Sequence, residues 1–355
     1  FRLGRNKTLQ SVYKARPESF RDAALANSQK DRRYMTHAGL ILAQMLADRG
    51  VPRVFSVPGE SFLAALDGLY ELCIPNIVCR HEGVAAFMAE SMGKMTGQPG
   101  VDFVNRGPGA TNASGGVHVA MQDSTPMVLF VGQIARAHRD REAFQEVDYR
   151  AMFGPLAKWV AEIDDAERLP EYVARAFQIA TTGRPGPVVL ALPEDMLSGP
   201  CNAKPRPASA PPLTSAGRAT ADAVHSFLAD AKRPLVVVGG SQWCQQAAND
   251  LAAWSGALDL PVAVSFRRQD RMDNTAPTYV GDLAVGGNPA LFERFKQADK
   301  ILVIGARLSD IATGGYEALN PNQPHPAIAH IHPDPNLPGQ TYRTELTIAE
   351  NPIAA

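Results

Sequence analysis

With 355 residues, of which 45% are hydrophobic and 20% charged, the chain can bury more than one core, so two domains are expected. A formal net charge of -1 without any dense block of Lys or Arg excludes the electrostatic footprint of a nucleic-acid or anionic-membrane binder. The longest apolar runs, "MVLFVG" and "LVVVGG", are too short to span a bilayer, and no charged and then apolar leader opens the sequence. Small molecules or protein subunits in the cytoplasm are the expected partners. Cys73, Cys79, Cys201 and Cys244 lack metal-ligand spacing and read as buried small residues in a reducing compartment.

The stretch 1–34 is polar and without sustained periodicity, and reads as an extension that is not native to the fold. "MTHAGLILAQMLADRG" then reads as an amphipathic helix over 36–49 that ends at Gly50. Short apolar runs alternate with helical stretches from there: "RVFSV", a helix at 61–72, "NIVC", a helix at 82–96, "VDFVN", a helix at 110–122, "MVLFVG", a helix near 168–182 and the strand "PVVLAL". This grammar predicts a parallel sheet covered by helices over 35–200. Residues 201–218 are rich in Pro, Ala and Ser, as a linker would be. Beyond them "PLVVVGG", "PVAVSF", "KILVIGA" and "AIAHIH" are buried-strand signals separated by helices at about 219–230, 245–257 and 289–298, which predicts a second domain over 219–355. The fold class is therefore α/β, with two doubly wound parallel-sheet domains. The last stretch, "PNLPGQTYRTELTIAENPIAA", offers no evident closing element, so the chain is expected to be a fragment.

Chemistry concentrates in three stretches of the first domain. In "CRHEGVAAFMAESMGKMTG" Glu82 stands in the first turn of its helix, where free N–H groups and the helix dipole favour a carboxylate. Val84, Met88, Ser91, Met92 and Met95 form a stripe on that helix, and Ala85, Ala86 and Ala89 keep its other side slim, suited to close packing on another element or subunit. "VDFVN" then runs into "RGPGATNASGGVHVAMQD", a tight turn opening a helix that is neither a P-loop nor a dinucleotide fingerprint. "REAFQEVDYRAMFGPLAKW" strings Gln145, Glu146 and Asp148 between apolar residues, as either a pocket-lining or a solvated loop would.

These stretches, in this order and with "VFSVPGESFLAALDGL" and "GRPGPVVLALPEDML", resemble the thiamine diphosphate-dependent 2-keto acid enzymes, specifically the acetolactate synthase-like branch, from about Met35 to His332. The resemblance implies a first domain that binds the cofactor's aminopyrimidine, with Glu82 the catalytic carboxylate on ring nitrogen N1′. Pro58, Gly59, Gly107, Gly109 and Asn112 would then shape the cofactor site, while Ser61, Phe144 and Gln145 would line the substrate side. It further implies a homodimer or homotetramer. Where that branch usually carries PGG, this chain has Pro58, Gly59, Glu60 and Ser61, which adds a carboxylate and a hydroxyl near the pocket.

The second domain resembles the family's Rossmann-like middle domain, which in some members holds FAD; a structural role is expected here. Arg267 and Arg268 in "SFRRQD" are read either as a fork onto a substrate or cofactor anion or as a solvated loop. His330 and His332 read as strand residues leading into an Asp-Pro turn, so no metal site is assigned to this chain. The family's Mg²⁺-diphosphate anchor, a Gly-Asp-Gly motif followed far on by Asn, has no match; "GDLAVGGN" has Leu283 in place of the second glycine and Asn288 too close. Mg²⁺ is thus expected to bind through a third domain outside this chain, which alone should be inactive. The expected function is carboligation after decarboxylation of a 2-keto acid; the alternatives are a decarboxylase of benzoylformate or oxalyl-CoA type and a non-catalytic nucleotide- or partner-binding subunit.

Overall fold

The computed structural model describes residues 36–209 and 217–352; the extension 1–34 and part of the proposed linker lie outside them. Two six-stranded sheets, each wholly parallel, organise the chain. In the first, α1 (Ala38–Asp48), β1 (Val54–Ser56), α2 (Leu63–Glu71), β2 (Asn76–Val78), α3 (Glu82–Thr96), β3 (Gly100–Val104), α4 (Pro108–Asp123) and β4 (Met127–Gln133) follow in order. A short α5 (Tyr149–Phe153), β5 (Trp159–Glu162), α6 (Leu169–Thr181), β6 (Pro187–Pro193) and α7 (Glu194–Ser198) complete it. The strand order is β2-β1-β3-β4-β6-β5.

Strands with helices on both faces are predominantly apolar, and β3, β4 and β6 are buried at every position. Phe62, Phe103 and Phe130 stack at 5.8 and 4.8 Å in the core beneath α1, α2 and α6, while Phe55, Leu129 and Val104 face α3 and α4. On that second side α3 turns its alanines inward. Ala85, Ala86, Ala89 and Gly93 are buried, and Gly116 of α4 faces Ala86 so closely that an added Cβ would lie 2.5 Å from its methyl. The slim side thus serves packing within the chain, and the stripe of Val84, Met88 and Met95 points outward. Gly100 of β3 lies under the Ala89 carbonyl, where a methyl has no room. Gly100→Ala is expected to destabilise the protein by about 3 kcal/mol, read as a lower urea midpoint with an unchanged slope.

The second sheet has order β12-β11-β10-β7-β8-β9. Its elements are α8 (Arg218–Leu228), β7 (Leu235–Val238), α9 (Gln245–Ala257), β8 (Val262–Ser265), β9 (Tyr279–Leu283), α10 (Pro289–Lys296), β10 (Lys300–Ile304), β11 (Ala327–Ile331) and β12 (Leu346–Ile348). The terminal stretch that offered no closing element does contain one: β12 extends the sheet beside β11. The cysteine expectation needs correcting as well. All four are free, but Cys201 alone among them is buried, and Cys73 and Cys244 are exposed.

Candidate active site

β1 leads leftward to β2, while β3 and β4 continue to the right, so the loops leaving β1 and β3 diverge and open a crevice at the carboxyl ends of the strands. Four stretches meet around it: 57–62 after β1, 79–82 after β2, 105–109 after β3 and 134–148 after β4.

The carboxylate of Glu82 enters this crevice on the first turn of α3, whose N-cap is the His81 ring; its Nδ1 accepts from the Gly83 N–H at 3.0 Å. Asn112, one turn into α4, donates to Glu82 Oε2 at 2.9 Å. The other oxygen, Oε1, faces Gly109, where an added Cβ would stand 3.4 Å away. Gly109 keeps the space beside the carboxylate open, while the missing side chain of Gly107 lets Gln145 pack close. Gly107 has φ of +55°, a conformation that demands glycine, and its N–H donates to the Tyr149 hydroxyl at 2.9 Å. Burial pushes that phenol up to about 12, so it stays neutral. Glu82 itself is half-buried and not sealed from water.

Of the expected residues, Glu82, Gly107, Gly109 and Asn112 come together here. Gly59 lies across the crevice against Asn105, and Pro58 beside it is exposed. Ser61 is buried, donating through its hydroxyl to Asn105 Oδ1, so it supports the loop from below. Phe144 projects into solvent, 76% exposed. Gln145 adopts φ of +65° against Gly107, and its Oε1 is buried without a hydrogen-bond partner. Glu146 accepts from the N–H groups of Asp140 and Ala143, and Asp148 caps α5, so of this polar trio Gln145 is the one left for the crevice.

Arg267 and Arg268 do not join this cluster. Arg268 donates to the Asp123 carbonyl and Arg267 pairs with the Asp123 carboxylate at 3.3 Å, both at the C-terminus of α4. Arg307 and Arg184 donate to the neighbouring carbonyls of Gln122 and Met121 at 2.8 and 2.5 Å. Unsatisfied helix-end carbonyls and the negative end of the dipole hold these cations. Arg267, Arg268 and Arg307 thereby clasp the second domain to α4, and Arg184 ties α4 to the loop before β6.

Two charged features escaped the sequence reading. Arg106 is held between Glu60 at 3.1 Å and Glu194 at 3.0 Å, joining the loops after β1, β3 and β6. Asp102, in the middle of β3 on the face under α3, is fully buried, and neither carboxylate oxygen has a hydrogen-bond partner of ordinary geometry. Burial, chiefly, holds its carboxyl well above the usual range, and the nearby Glu82 charge adds to this. Nothing in "VDFVN" announces that. The folded chain keeps a proton that the unfolded chain releases near 3.8, so this group costs stability progressively as pH rises from there through the folded value. Asp102→Val is expected to stabilise the protein by about 1 to 3 kcal/mol at neutral pH and to flatten that slope, measured by urea unfolding at pH 5 and 8.

Comparison with known proteins adds a family assignment to each half. Residues 36–152 match the thiamine pyrophosphate enzyme N-terminal TPP binding domain, and residues 221–355 match the thiamine pyrophosphate enzyme central domain. Among curated relatives, the acetolactate synthase isozyme 2 large subunit of Escherichia coli is 31% identical over 290 residues, covering 82% of this chain and 52% of that protein. Isozyme 3 of the same organism is 33% identical over 316 residues, covering 87% and 54%. The probable acetolactate synthase large subunit of Methanocaldococcus jannaschii is 30% identical over 314 residues, covering 86% and 53%. The chain spans about half the length of the curated relatives it matches.

Proposed function

The chain belongs to the thiamine pyrophosphate enzymes, whose N-terminal and central domains it carries, and from that premise we propose that it is part of a carboligase acting on 2-keto acids. The observation that carries the reading is Glu82: a carboxylate oriented by Asn112, with its second oxygen turned to the glycine-lined space beside Gly109. A flat ring bearing an N–H donor fits such a wall. Thiamine diphosphate, when bound, supplies the carbon nucleophile and the electron sink for loss of CO₂ from a 2-keto acid.

Glu82 would hold the pyrimidine N1′ through Oε1, and Asn112 would keep the carboxylate from rotating away. Gly109 would give the ring room, Gly107 lets Gln145 pack against the turn, and Tyr149 fixes the turn that contains both glycines. Gln145 offers its unpartnered oxygen to a donor on the substrate side. We assign the Mg²⁺-diphosphate anchor to a part of the protein outside this chain. The relatives' greater length supports this.

In the central domain, Gly240 is pressed against the Gly305 carbonyl and Pro352 closes on Gly305, with its Cγ 2.6 Å from where a Cβ would stand. The ends of β7 and β10 thus pack closely enough to admit only glycine, and the role of this domain is read as structural. The outward stripe of α3, Val84, Phe87, Met88 and Met95, together with exposed Val78 and Tyr70, supports a homo-oligomer with α3 at the contact. No helix among the described residues is long and apolar enough to cross a membrane.

The test is product analysis. The complete protein, with thiamine diphosphate and Mg²⁺, is fed several 2-keto acids singly and in pairs, and CO₂ and carbon–carbon ligation products are measured. Ligation products support the carboligase; CO₂ with free aldehyde and no ligation makes it a decarboxylase. No CO₂ from any of them sinks the catalytic reading.

A further inference from the structure

We propose that the ion pair between Glu60 and Arg106 is the tie that holds the two walls of the crevice at their working separation, which makes both of them positioning residues for the step that consumes the 2-keto acid. The inference rests on the carboligase reading and deepens it.

The crevice exists because β1 and β3, adjacent in the sheet with Phe55 opposite Asp102 and Ser56 opposite Phe103, send their loops apart. One wall, 105–112 with Glu82 beside it, is fixed from its own side: Tyr149 holds the Gly107 N–H and Asn112 holds the Glu82 carboxylate. The opposite wall, 57–62, ends in the single 3₁₀ turn Glu60–Phe62, and two supports place it. From below, Ser61 sits on β4 at a point where only glycine fits, since a Cβ on Gly132 would stand 1.9 Å from the Ser61 hydroxyl oxygen. From the side, two consecutive residues of the other wall take one carboxylate. Arg106 Nη2 lies 3.1 Å from Glu60 Oε1, and Asn105 donates to Glu60 Oε2 at 3.1 Å. Asn105 Oδ1 in turn accepts from the Ser61 N–H at 3.3 Å and from the Ser61 hydroxyl.

Asn105 is the spacer that this tie compresses. Its side chain stands between Gly59, where a Cβ would lie 2.6 Å from Asn105 Cγ, and Gly109, where a Cβ would lie 3.5 Å from Asn105 Cβ and 3.4 Å from Glu82 Oε1. The walls are one side chain apart at this point, so a displacement of 57–62 changes the space that Glu82 faces.

Arg106 has the shape and the anchorage for such a tie. Its side chain is 11% exposed, and its other terminal nitrogen, Nη1, donates to Glu194 Oε2 at 3.0 Å, just past the end of β6. One planar guanidinium thus links the rim of β1 to the far side of β4, which a flexible ammonium would do with less geometric control. Glu60 is 56% exposed, and pairs of that kind add little to stability, so the tie is expected to act through geometry. Misplacing reacting groups by about 1 Å can cost about a hundredfold in rate.

The test uses Glu60→Ala, Arg106→Met and the double variant of the complete protein. Without cofactor, backbone hydrogen exchange over 57–66, followed by mass spectrometry, is expected to rise several-fold in each single variant and no further in the double. With thiamine diphosphate and Mg²⁺, exchange at the thiazolium C2 is expected to be retained, because Glu82, Asn112 and Gly109 keep their own contacts. The kcat/KM for CO₂ release from a 2-keto acid is expected to fall by about ten- to a hundredfold in each single variant and equally in the double, since either substitution alone opens the tie. Unchanged exchange over 57–66, wild-type turnover in either single variant, loss of C2 exchange in step with turnover, or losses that multiply in the double variant each overturn the proposal, while CO₂ release by the wild type leaves the parent reading standing. Absence of CO₂ from the wild type overturns both.

Discussion

In the complete protein, Glu82→Gln is expected to slow hydrogen–deuterium exchange at the thiazolium C2 of bound thiamine diphosphate by a factor of about 10² to 10⁴, the usual range for a positioned acid–base group. The thermal midpoint should stay within about 2 °C, because the substitution keeps the shape of the side chain and its acceptor for Asn112. What changes is the oxygen facing Gly109. As a carboxylate it can accept the ring proton of N1′ or share it; as an amide it does neither with comparable strength, and an NH₂ turned that way would oppose an N–H donor. Exchange at C2 reads this directly, ahead of any substrate. Asn112→Ala should slow exchange less, since it frees the carboxylate to rotate without removing it. Wild-type exchange in Glu82→Gln would remove Glu82 from the mechanism and return it to the bland role of an acidic residue in a helix's first turn.

Much of that site could be read from the sequence because turn chemistry is local. Gly107 needs a positive φ, Pro108 opens α4, and Glu82 follows an N-cap in the first turn of α3; each leaves its mark within a few residues. The long strands were legible for a similar reason, since burial on both faces imposes unbroken apolar runs on β4 and β6. Edge strands β5, β9 and β12 escaped because one side is open and partly exposed residues interrupt the run. Long-range pairing escaped entirely. That Arg106 lies between Glu60 and Glu194, that Arg267 and Arg268 reach the end of α4, and that Asp102 lies under α3 all depend on residues distant in sequence. The outward turn of the α3 stripe was hidden as well, because periodicity gives a face and not its direction.

Acidification from pH 7 to 4 is expected to destabilise the protein chiefly through His330 and His332. His330 is buried at the end of β11 with its Nε2 2.9 Å from the Ala306 carbonyl, and His332 follows two residues on with its Nδ1 accepting from the Asp334 N–H at 3.0 Å. Their rings are 6.1 Å apart. Burial pushes both down to about 4; for His332 its neighbours His330 and Arg184 also oppose a further positive charge, and Asp334 offsets them only in part. Because the folded values lie below the ordinary 6.5, the unfolded chain takes up protons first as the pH falls. The stability these imidazoles contribute is therefore intact above about 6.5 and is lost between there and 4, on the order of 3 kcal/mol for each ring. Asp102 acts with the opposite slope, gaining stability as pH falls, so the two must be separated by mutation and not by pH alone. His330→Gln combined with His332→Gln should lower stability at pH 7 yet flatten its decline between pH 6.5 and 4, measured as urea midpoints at three pH values. An unchanged decline in the double variant would move the acid sensitivity to other groups. A flattened one would identify the end of β11, where the Arg184 charge of the first domain also opposes protonation of His332, as the place where acid acts.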